Sequence, residues 1–452
     1  MMNFRSKALS TVLFVFAVVV PAGAQVSATE PRHITLSEAV QLALRHNHVV
    51  RIAGLKVDEM QDAKDVARSA YLPSIRNESR ILRVTDTQFI EIARGSLGTV
   101  AGTPIPAASD VISQGGHTFV TSGTGLVQPL SQLFTRIKPE NDAARADLNA
   151  SRADAQETQN EIALRVHQIY YQLLIAELRD SAAAAKIRAD QDLESERTQQ
   201  VKYGSELDQQ LIESRAQLLQ AKQDSLTTEL QISDLTMQLN DVMGLAISTR
   251  LTLDSEVPVA QETCRKEECV QIALASHPEA IAARAQVEKA SAGVRLAKAD
   301  YLPDVTAFAR YSYQNDVPFL ARNFGTFGAE LTYDLFDGGK RRASVRESDT
   351  KVAQAKENLA RVTDDVELRV ETALNKLDRT KEMVSVSEQL LALRTESRRV
   401  TAQQVLRGEA LQSQADAGIA QELDAKTMLL AAQLDYAQAH DELLQAMGIA
   451  PQ

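Results

Sequence analysis

The histidine, cysteine and acidic side chains of this sequence could carry chemistry, but their spacing argues against an enzyme. Of the seven histidines, only His46 and His48 lie close together. Residues two apart on a helix point to different faces, so this pair is a poor metal site. The sequence has no phosphate-binding glycine-rich loop and no nucleophile elbow. We therefore predict no catalytic residues, no metal and no cofactor.

Cys264 and Cys269 are the two cysteines of the chain. In an oxidising compartment a disulfide between them is one reading, and two unpaired thiols are the other. Bridged cysteines have Cα atoms within about 7 Å of each other. A bridge at this spacing therefore requires that the helix predicted to follow be unwound at its start.

The composition describes a long, acidic, helical protein. The 452 residues carry a net charge of −11, which argues against a nucleic-acid partner. Tryptophan is absent and aromatic residues make up 4%, too few for an ordinary large globular core. With 19 glycines and 12 prolines, turn residues are scarce. The chain must therefore run in long uninterrupted elements.

The N-terminus has the pattern of a secretory signal peptide over residues 1–24. Arg5 and Lys7 are followed by an apolar stretch, Leu9 to Val20, and by the small residues Ala22, Gly23 and Ala24. The apolar stretch is shorter than the roughly 20 residues of a membrane-spanning helix, which argues against an anchor. We therefore expect an exported protein.

Proline and glycine divide the rest of the chain into helices. Proline is absent between Pro139 and Pro258 and between Pro318 and Pro451, and proline breaks helices. We predict helices over 36–70, 136–203, 205–243, 266–300, 340–407 and 409–447. At about 1.5 Å per residue, a short and a medium helix stacked end to end match one long helix of about 100 Å.

The chain repeats itself. A shift of 230 places Glu38–Leu44 on Glu268–Leu274, and a shift of 204 places Gly204 on Gly408 and Met243-Gly244 on Met447-Gly448. We predict a first repeat over 25–243, a linker over 244–265 and a second repeat over 266–450. Each repeat reads as a short helix, a strand pair, a very long helix and a medium helix.

The long helices carry coiled-coil spacing on more than one face. Ile162, Val166, Ile169 and Leu173 form one seam, and Tyr171, Leu174 and Leu178 form a second. Heptad spacing drives helix pairing. Two seams suggest neighbours on both sides, as in a closed wall of helices. A solvated antiparallel coiled coil is the simpler alternative.

The strand pairs, at about 74–130 and 304–337, carry the pattern of membrane-embedded strands. From Phe327 to Leu335 the odd positions are apolar and the even positions are small or polar. This alternation fits a transmembrane barrel strand facing a polar lumen, and a surface hairpin is the alternative. Four strands cannot close a channel, so a membrane role requires an oligomer.

These motifs together resemble the outer-membrane efflux protein family, the TolC-like channels. The resemblance rests on Leu36–Asn47, Ala70–Pro73, Glu268–Pro278, Tyr301–Pro303 and Leu331–Gly339, the last lying where a strand turns into a long helix. It implies a mainly α fold with a small β part, built of coiled-coil hairpins and transmembrane strands. It also implies a homotrimer with a twelve-stranded barrel in outer-membrane lipid and a periplasmic helical tunnel.

The resemblance also places a periplasmic gate and an adaptor-docking tip. Gly204 and Gly408 match the tip glycines of the family. The implied site comprises Lys202, Tyr203, Gly204, Ser205, Glu206 and Asp208 in one repeat, and Arg407, Gly408, Glu409, Leu411 and Asp416 in the other. The family often has an acid six residues after each tip glycine, where this chain has Gln210 and Gln414. We therefore expect Asp208 and Asp416 to carry part of the gate.

The function that the resemblance implies is passive export through the outer membrane. We expect the exit duct of a tripartite efflux pump for small molecules, with a periplasmic adaptor and an inner-membrane pump as partners. The outer-membrane channel of a type I protein secretion system is an alternative. A periplasmic coiled-coil adaptor is an alternative of another class, but it would lack two strand pairs at matched positions.

Overall fold

A computed structural model describes residues 32–86, 89–113, 117–205, 207–254, 264–315 and 321–451. The predicted signal peptide, 1–24, lies outside these residues. So do Glu206 of the predicted tip and residues 255–263 of the predicted linker.

The helices of the first repeat are α1 (Leu36–His46), α2 (His48–Ser69), α3 (Gln132–Thr135), α4 (Ile137–Lys202) and α5 (Asp208–Val242). The prediction of one helix over 36–70 is wrong, because the chain breaks at Asn47. The Asn47 backbone is extended, and its side-chain oxygen accepts a hydrogen bond from the N–H of Val49 at 2.8 Å. Asparagine favours such caps because its side chain replaces a missing backbone partner.

The second repeat contains α6 (Lys266–Ser276), α7 (Pro278–Ala299), α8 (Lys340–Leu406) and α9 (Gln412–Ala446). Here too the predicted single helix, 266–300, is two helices, which meet at His277. His277 Nδ1 accepts a hydrogen bond from the N–H of Glu279 at 3.2 Å, and Pro278 occupies the first helical position. Proline suits that position because its fixed φ is helical and it has no N–H to leave unpaired.

In both repeats, the turn after the last helix packs on the break between the first two helices. The turn after α5 lies on the α1–α2 break, and the turn after α9 lies on the α6–α7 break. Gly244 and Gly448 lie in these turns with φ of +69° and +77°. A Cβ at Gly244 would lie 2.8 Å from His46 Cβ, and one at Gly448 would lie 2.6 Å from His277 Cα. Only glycine fits both the left-handed backbone and this close approach.

The helices form a wall one layer thick. The long helix α4 contacts α2 and α7 over its first part and α5 and α9 over its second, while α8 contacts α7 and α9. The order across the wall is α2–α4–α7–α8 at one end and α5–α4–α9–α8 at the other. At about 1.5 Å per residue, α4 is about 100 Å long.

Two hydrophobic clusters hold the wall together. One surrounds Val166, Tyr170 and Leu173 of α4, and the other surrounds Val366 and Val370 of α8. Many of the buried residues are alanines, such as Ala163, Ala273 and Ala439. Small side chains let the helix axes approach closely, so the clusters form a thin seam between helices.

The strands are β1 (Arg32–Ile34), β2 (Ser74–Arg83), β3 (Phe89–Ile92), β4 (Thr99–Val100), β5 (Thr103–Pro104), β6 (Asp110–Ser113), β7 (Thr118–Pro129), β8 (Leu251–Leu253), β9 (Asp304–Asn315) and β10 (Asn323–Thr332). An antiparallel sheet has the order β10-β9-β7-β2, so β7 and β9 join the two repeats. The pairs β3–β6 and β4–β5 are further hairpins within the first strand pair. The strands β1 and β8 pair in parallel beside the first hydrophobic cluster.

None of the described helices combines the length and the hydropathy that a helix crossing a membrane requires.

Candidate channel surfaces and periplasmic tip

The four-stranded sheet has one apolar face. Successive residues of a strand point to opposite faces, and the register aligns Phe327 with Ala309, Ala309 with Leu126, and Leu126 with Ile75. These residues form an apolar row across all four strands. In the single chain, Phe327 is 88% exposed and Ile75 is 71% exposed. The apolar face therefore lacks a cover within the described chain.

Polar residues interrupt this face in the first repeat. Asn77 Nδ2 donates to Thr124 Oγ1 at 2.9 Å, and the hydroxyls of Ser79 and Ser122 are 2.9 Å apart. These side chains satisfy one another across β2 and β7, which lowers the cost of placing them in an apolar environment. This explains the weaker alternation of the first strand pair.

The opposite face of the sheet is charged. Arg76, Glu78 and Arg80 of β2 lie on it, together with Arg310 of β9 and Glu330 of β10. The sheet therefore has one apolar face and one polar face, as the alternation of apolar and polar residues from Phe327 predicts.

The two edges of the helical wall carry exposed apolar seams. On α5, Ile212, Leu219 and Leu226 recur every seven residues and point away from α4. On α8, Val386, Leu393 and Val400 recur in the same way and point away from α9. Apolar heptads normally face a partner helix, but within the described chain neither seam has one.

The two predicted tips lie at the same end of the wall. His167 of α4 contacts Asp441 near the end of α9, and Asp190, further along α4, lines the same cavity as Ala417 near the start of α9, so the two helices are antiparallel neighbours. The start of α9 therefore lies level with the end of α4. The sequence-predicted residues Lys202–Ser205 and Asp208 form the α4–α5 turn, and Arg407–Glu409 and Leu411 form the α8–α9 turn. Asp416 lies in the second turn of α9.

Hydrogen bonds within the chain close both turns. The N–H of Ser205 donates to Gln200 O at 2.9 Å, and the N–H of Glu409 donates to Gln404 O at 2.9 Å. Apolar side chains nevertheless stay in the open: Tyr203, Leu207, Leu406 and Leu411 are all exposed. Each tip is therefore a hydrogen-bonded turn that exposes apolar side chains.

The two glutamines at the family's acidic positions have structural partners. Gln210 Oε1 accepts a hydrogen bond from Arg197 Nη1 at 2.6 Å, which ties α5 to α4. Gln414 Oε1 accepts one from the N–H of Leu411 at 3.1 Å, which caps α9. Asp416 accepts two hydrogen bonds from Gln412 Nε2, each of 3.3 Å. The sequence analysis did not predict the partner of Gln210, because that contact crosses between two helices. It also did not predict the local contacts of Gln414 and Asp416 at the start of α9.

Cys264 and Cys269 are joined by a disulfide, with Cα atoms 5.5 Å apart. Cys264 precedes α6, and Cys269 is buried in the second cluster. Cys264 and Arg265, directly before α6, are non-helical, which provides the unwound start that the bridge requires. Among the described residues, no group of three or more His, Cys, Asp or Glu side chains is arranged to hold a metal ion.

Comparison with known proteins gives the fold a family context. Residues 269–449 match the family model described as outer membrane efflux protein. No curated protein matches the chain.

Three solved outer-membrane proteins are similar to the chain over its length. The Campylobacter jejuni CmeC outer membrane channel is 14% identical over 91% of this chain and 85% of its own, with a TM-score of 0.74. The Vibrio cholerae outer membrane protein VceC is 16% identical over 92% and 96%, with a TM-score of 0.72. The open state of the Neisseria gonorrhoeae MtrE outer membrane channel is 16% identical over 92% and 89%, with a TM-score of 0.71.

These findings confirm the resemblance to the TolC-like, outer-membrane efflux protein family. The predicted fold class is confirmed as mainly α with a small β part, because the described chain has the fold of these channels. The outer-membrane location with a long periplasmic helical extension stays a prediction, which the match of residues 269–449 to the outer membrane efflux protein model supports.

Proposed function

We propose that the protein is the outer-membrane exit duct of a tripartite efflux pump, through which small molecules leave the periplasm passively. The single observation that carries this proposal is that the chain is an open segment of a wall. Both helical edges bear apolar seams without a partner in the described chain. The sheet also ends in two strands, β2 and β10, that each have one neighbour.

Copies of the chain can cover one another's edges. In α5 the seam residues lie 4, 11 and 18 positions from Asp208, and in α8 they lie 6, 13 and 20 positions from Leu406. Asp208 and Leu406 both lie at the tip, so the two seams lie at nearly the same distance from the tip along the helix axes. An α8 seam can therefore pack on the α5 seam of the next copy. This is a head-to-tail contact, and such contacts form rings when the rotation closes.

The sheet supports three copies as the number that closes the ring. Three copies of the four-stranded sheet supply 3 × 4 = 12 strands. Eight strands only just enclose side chains, so twelve leave room for a channel. The charged face would line the lumen, and the apolar face would meet outer-membrane lipid.

The periplasmic end would meet the partners. Exposed Tyr203, Leu207, Leu406 and Leu411 give each tip an apolar surface for a periplasmic adaptor. We propose that an inner-membrane pump supplies the energy for transport and selects the substrates. We further propose that Lys202–Asp208 and Arg407–Leu411, with Asp416, form the gate.

Membrane fractionation tests the proposal first. We expect a trimer in the outer-membrane fraction that resists detergent on an unheated gel and dissociates on boiling. In a host that lacks its own duct, the protein with its cognate adaptor and pump should restore resistance to small toxic compounds. A soluble periplasmic monomer would contradict the proposal and favour an adaptor.

Conductance in planar bilayers tests the gate. We expect D208N/D416N to lower the single-channel conductance for cations and to weaken block by divalent cations, because two negative charges leave each subunit's tip. The control is D424N, about two turns further along α9 than Asp416. If the double variant matches the unmodified channel in both measurements, Asp208 and Asp416 do not form the gate.

A further inference from the structure

Glu157 occupies an unusual position where the two repeats meet. It lies in α4, and its Oε2 atom is buried without a hydrogen-bond partner among the described residues. Two other carboxylates lie within electrostatic range: Glu161, one turn further along α4, and Glu279, in the first turn of α7. A buried carboxylate oxygen without a donor is costly, so this position calls for an explanation.

Among the described residues, the cation that acts on Glu157 is Arg369, which is already paired with another acid. Arg369 of α8 donates to Glu279 from both of its terminal nitrogens, with Nη1 to Oε1 at 3.0 Å. This two-pronged pair holds α8 to the start of α7. Glu157 therefore faces a carboxylate whose charge is balanced, but it has no balancing partner of its own.

The other charged groups described around the site do not balance the charge of Glu157. Arg361 and Asp365 of α8 act on Glu279 and Arg369, and Lys56 of α2 acts on Asp154 of α4. His277 is buried beside Glu279, and burial, followed by the charge of Arg369, lowers its pKa. It therefore stays neutral at neutral pH and adds no positive charge.

We propose that Glu157, Glu279 and Arg369 form a proton-responsive brace between the repeats, which is firm when Glu157 is protonated and weak when it is ionised. A protonated Glu157 removes one of three like charges and can donate a hydrogen bond. An ionised Glu157 repels Glu279 and Glu161 in a partly dry environment. The brace spans α4 of the first repeat and α7 and α8 of the second.

The direction of the pH effect follows from the proton affinity. Burial, followed by the charges of Glu279 and Glu161, raises the pKa of Glu157 from 4.5 to about 7. The packed joint therefore binds the proton more tightly than the separated joint does. Its extra strength is present in acid and is lost as the pH rises through about 7. The periplasm lies outside the inner membrane, so this joint would follow the surroundings of the cell.

Amide hydrogen exchange on the purified full-length oligomer tests the brace. Protection of the first two turns of α7, corrected for the intrinsic effect of pH, should fall by at least about tenfold from pH 5.5 to pH 8.5. In Glu157→Gln, protection should be high and nearly flat with pH. Glu288 is an exposed acid of α7. The variant Glu288→Gln should keep the same loss of protection with rising pH as the unmodified protein. Equal pH profiles for the unmodified protein and Glu157→Gln would overturn the proposal.

A second variant keeps the test decisive if Glu157→Gln does not fold. Glu279→Gln removes a negative neighbour and frees Arg369, so the midpoint of the fall should move to lower pH. An unchanged midpoint would also overturn the brace. The readout concerns the joint alone, so it is independent of whether the oligomer conducts or binds an adaptor.

Discussion

Asp441 is the residue on which a buried hydrogen-bond cluster between α4 and α9 depends. His167 Nδ1 lies 2.6 Å from Asp441 Oδ2, and the Tyr171 hydroxyl donates to the same oxygen at 3.1 Å. Both partners are almost fully buried. Burial, followed by the charge of Asp441, raises the pKa of Tyr171, so the hydroxyl remains a donor. One carboxylate oxygen thus serves two partners that water cannot reach.

We predict that Asp441→Asn destabilises the protein by about 1–3 kcal/mol, because a neutral amide replaces the carboxylate oxygen that two buried side chains share. The measurement is thermal or denaturant-induced unfolding of the purified protein. Asp435→Asn is the matched control, since Asp435 is exposed on the same helix. Similar losses in both variants would show that the cluster is not important for stability.

A second residue-scale prediction concerns the turn after α9. Gly448→Ala should destabilise the fold by about 1–3 kcal/mol, because φ is +77° and the new Cβ would lie 2.6 Å from His277 Cα. Gly418→Ala is the control. Its Cβ would meet Arg398 atoms at 3.7–3.9 Å, an ordinary contact, and alanine strengthens a helix by up to about 1 kcal/mol. Opposite shifts in melting temperature are expected, and a stabilised Gly448→Ala would contradict the packing described here.

Some of these residue roles were visible in the sequence and others were not. The internal repeat aligns Gly244 with Gly448, which predicts a shared role. The contact each makes with a helix break could not be predicted, because its partners lie about 170 to 200 residues away in the chain. The His167–Asp441 pair is hidden for the same reason. Periodicity shows which face of a helix is apolar, but it does not show which polar residues meet within the core.

At the scale of elements, the scarcity of proline and glycine predicts the long helices well. The helices α4 and α8 span 66 and 67 residues. The breaks at Asn47 and His277 were missed because helix-forming residues surround them. Local signals could have located both. Pro278 favours the first position of a helix, and Asn47 favours a cap.

The exposed seams lead to a prediction for assembly. Leu219→Lys should abolish the heat-resistant trimer, because each subunit would lose a leucine contact worth about 1.5–3 kcal/mol and place a charge in the seam. Gln220→Lys introduces the same side chain at the next position, about a quarter turn away from the seam, and should leave the trimer intact. Unheated gels and sedimentation give the readout. A trimer of normal stability in Leu219→Lys would rule out the α5–α8 contact.

At the scale of the whole molecule, the sheet was the hardest part to predict. The alternation from Phe327 to Leu335 identifies the second hairpin, but the first alternates poorly. The structure shows why: β3–β6 and β4–β5 interrupt the first strand pair, and hydrogen-bonded polar side chains occupy its apolar face. The pairing of β7 with β9 joins residues that are 177 to 195 positions apart in the chain, from Pro129 with Thr306 to Val120 with Asn315. Such non-local pairing leaves no local signal in one sequence.

The two faces of the sheet give the final prediction, which concerns the molecule in its membrane. Phe327→Arg should reduce the yield of outer-membrane trimer, because an arginine facing lipid near the bilayer midplane costs about 2–4 kcal/mol in each strand. Thr326→Arg places the same charge on the opposite face, where the register puts Arg310 beside it. That variant should insert normally and lower the conductance for cations, because it adds positive charge to the lumen. If Phe327→Arg inserts normally while Thr326→Arg fails to insert, the faces are assigned the wrong way round and the apolar face cannot be the lipid surface.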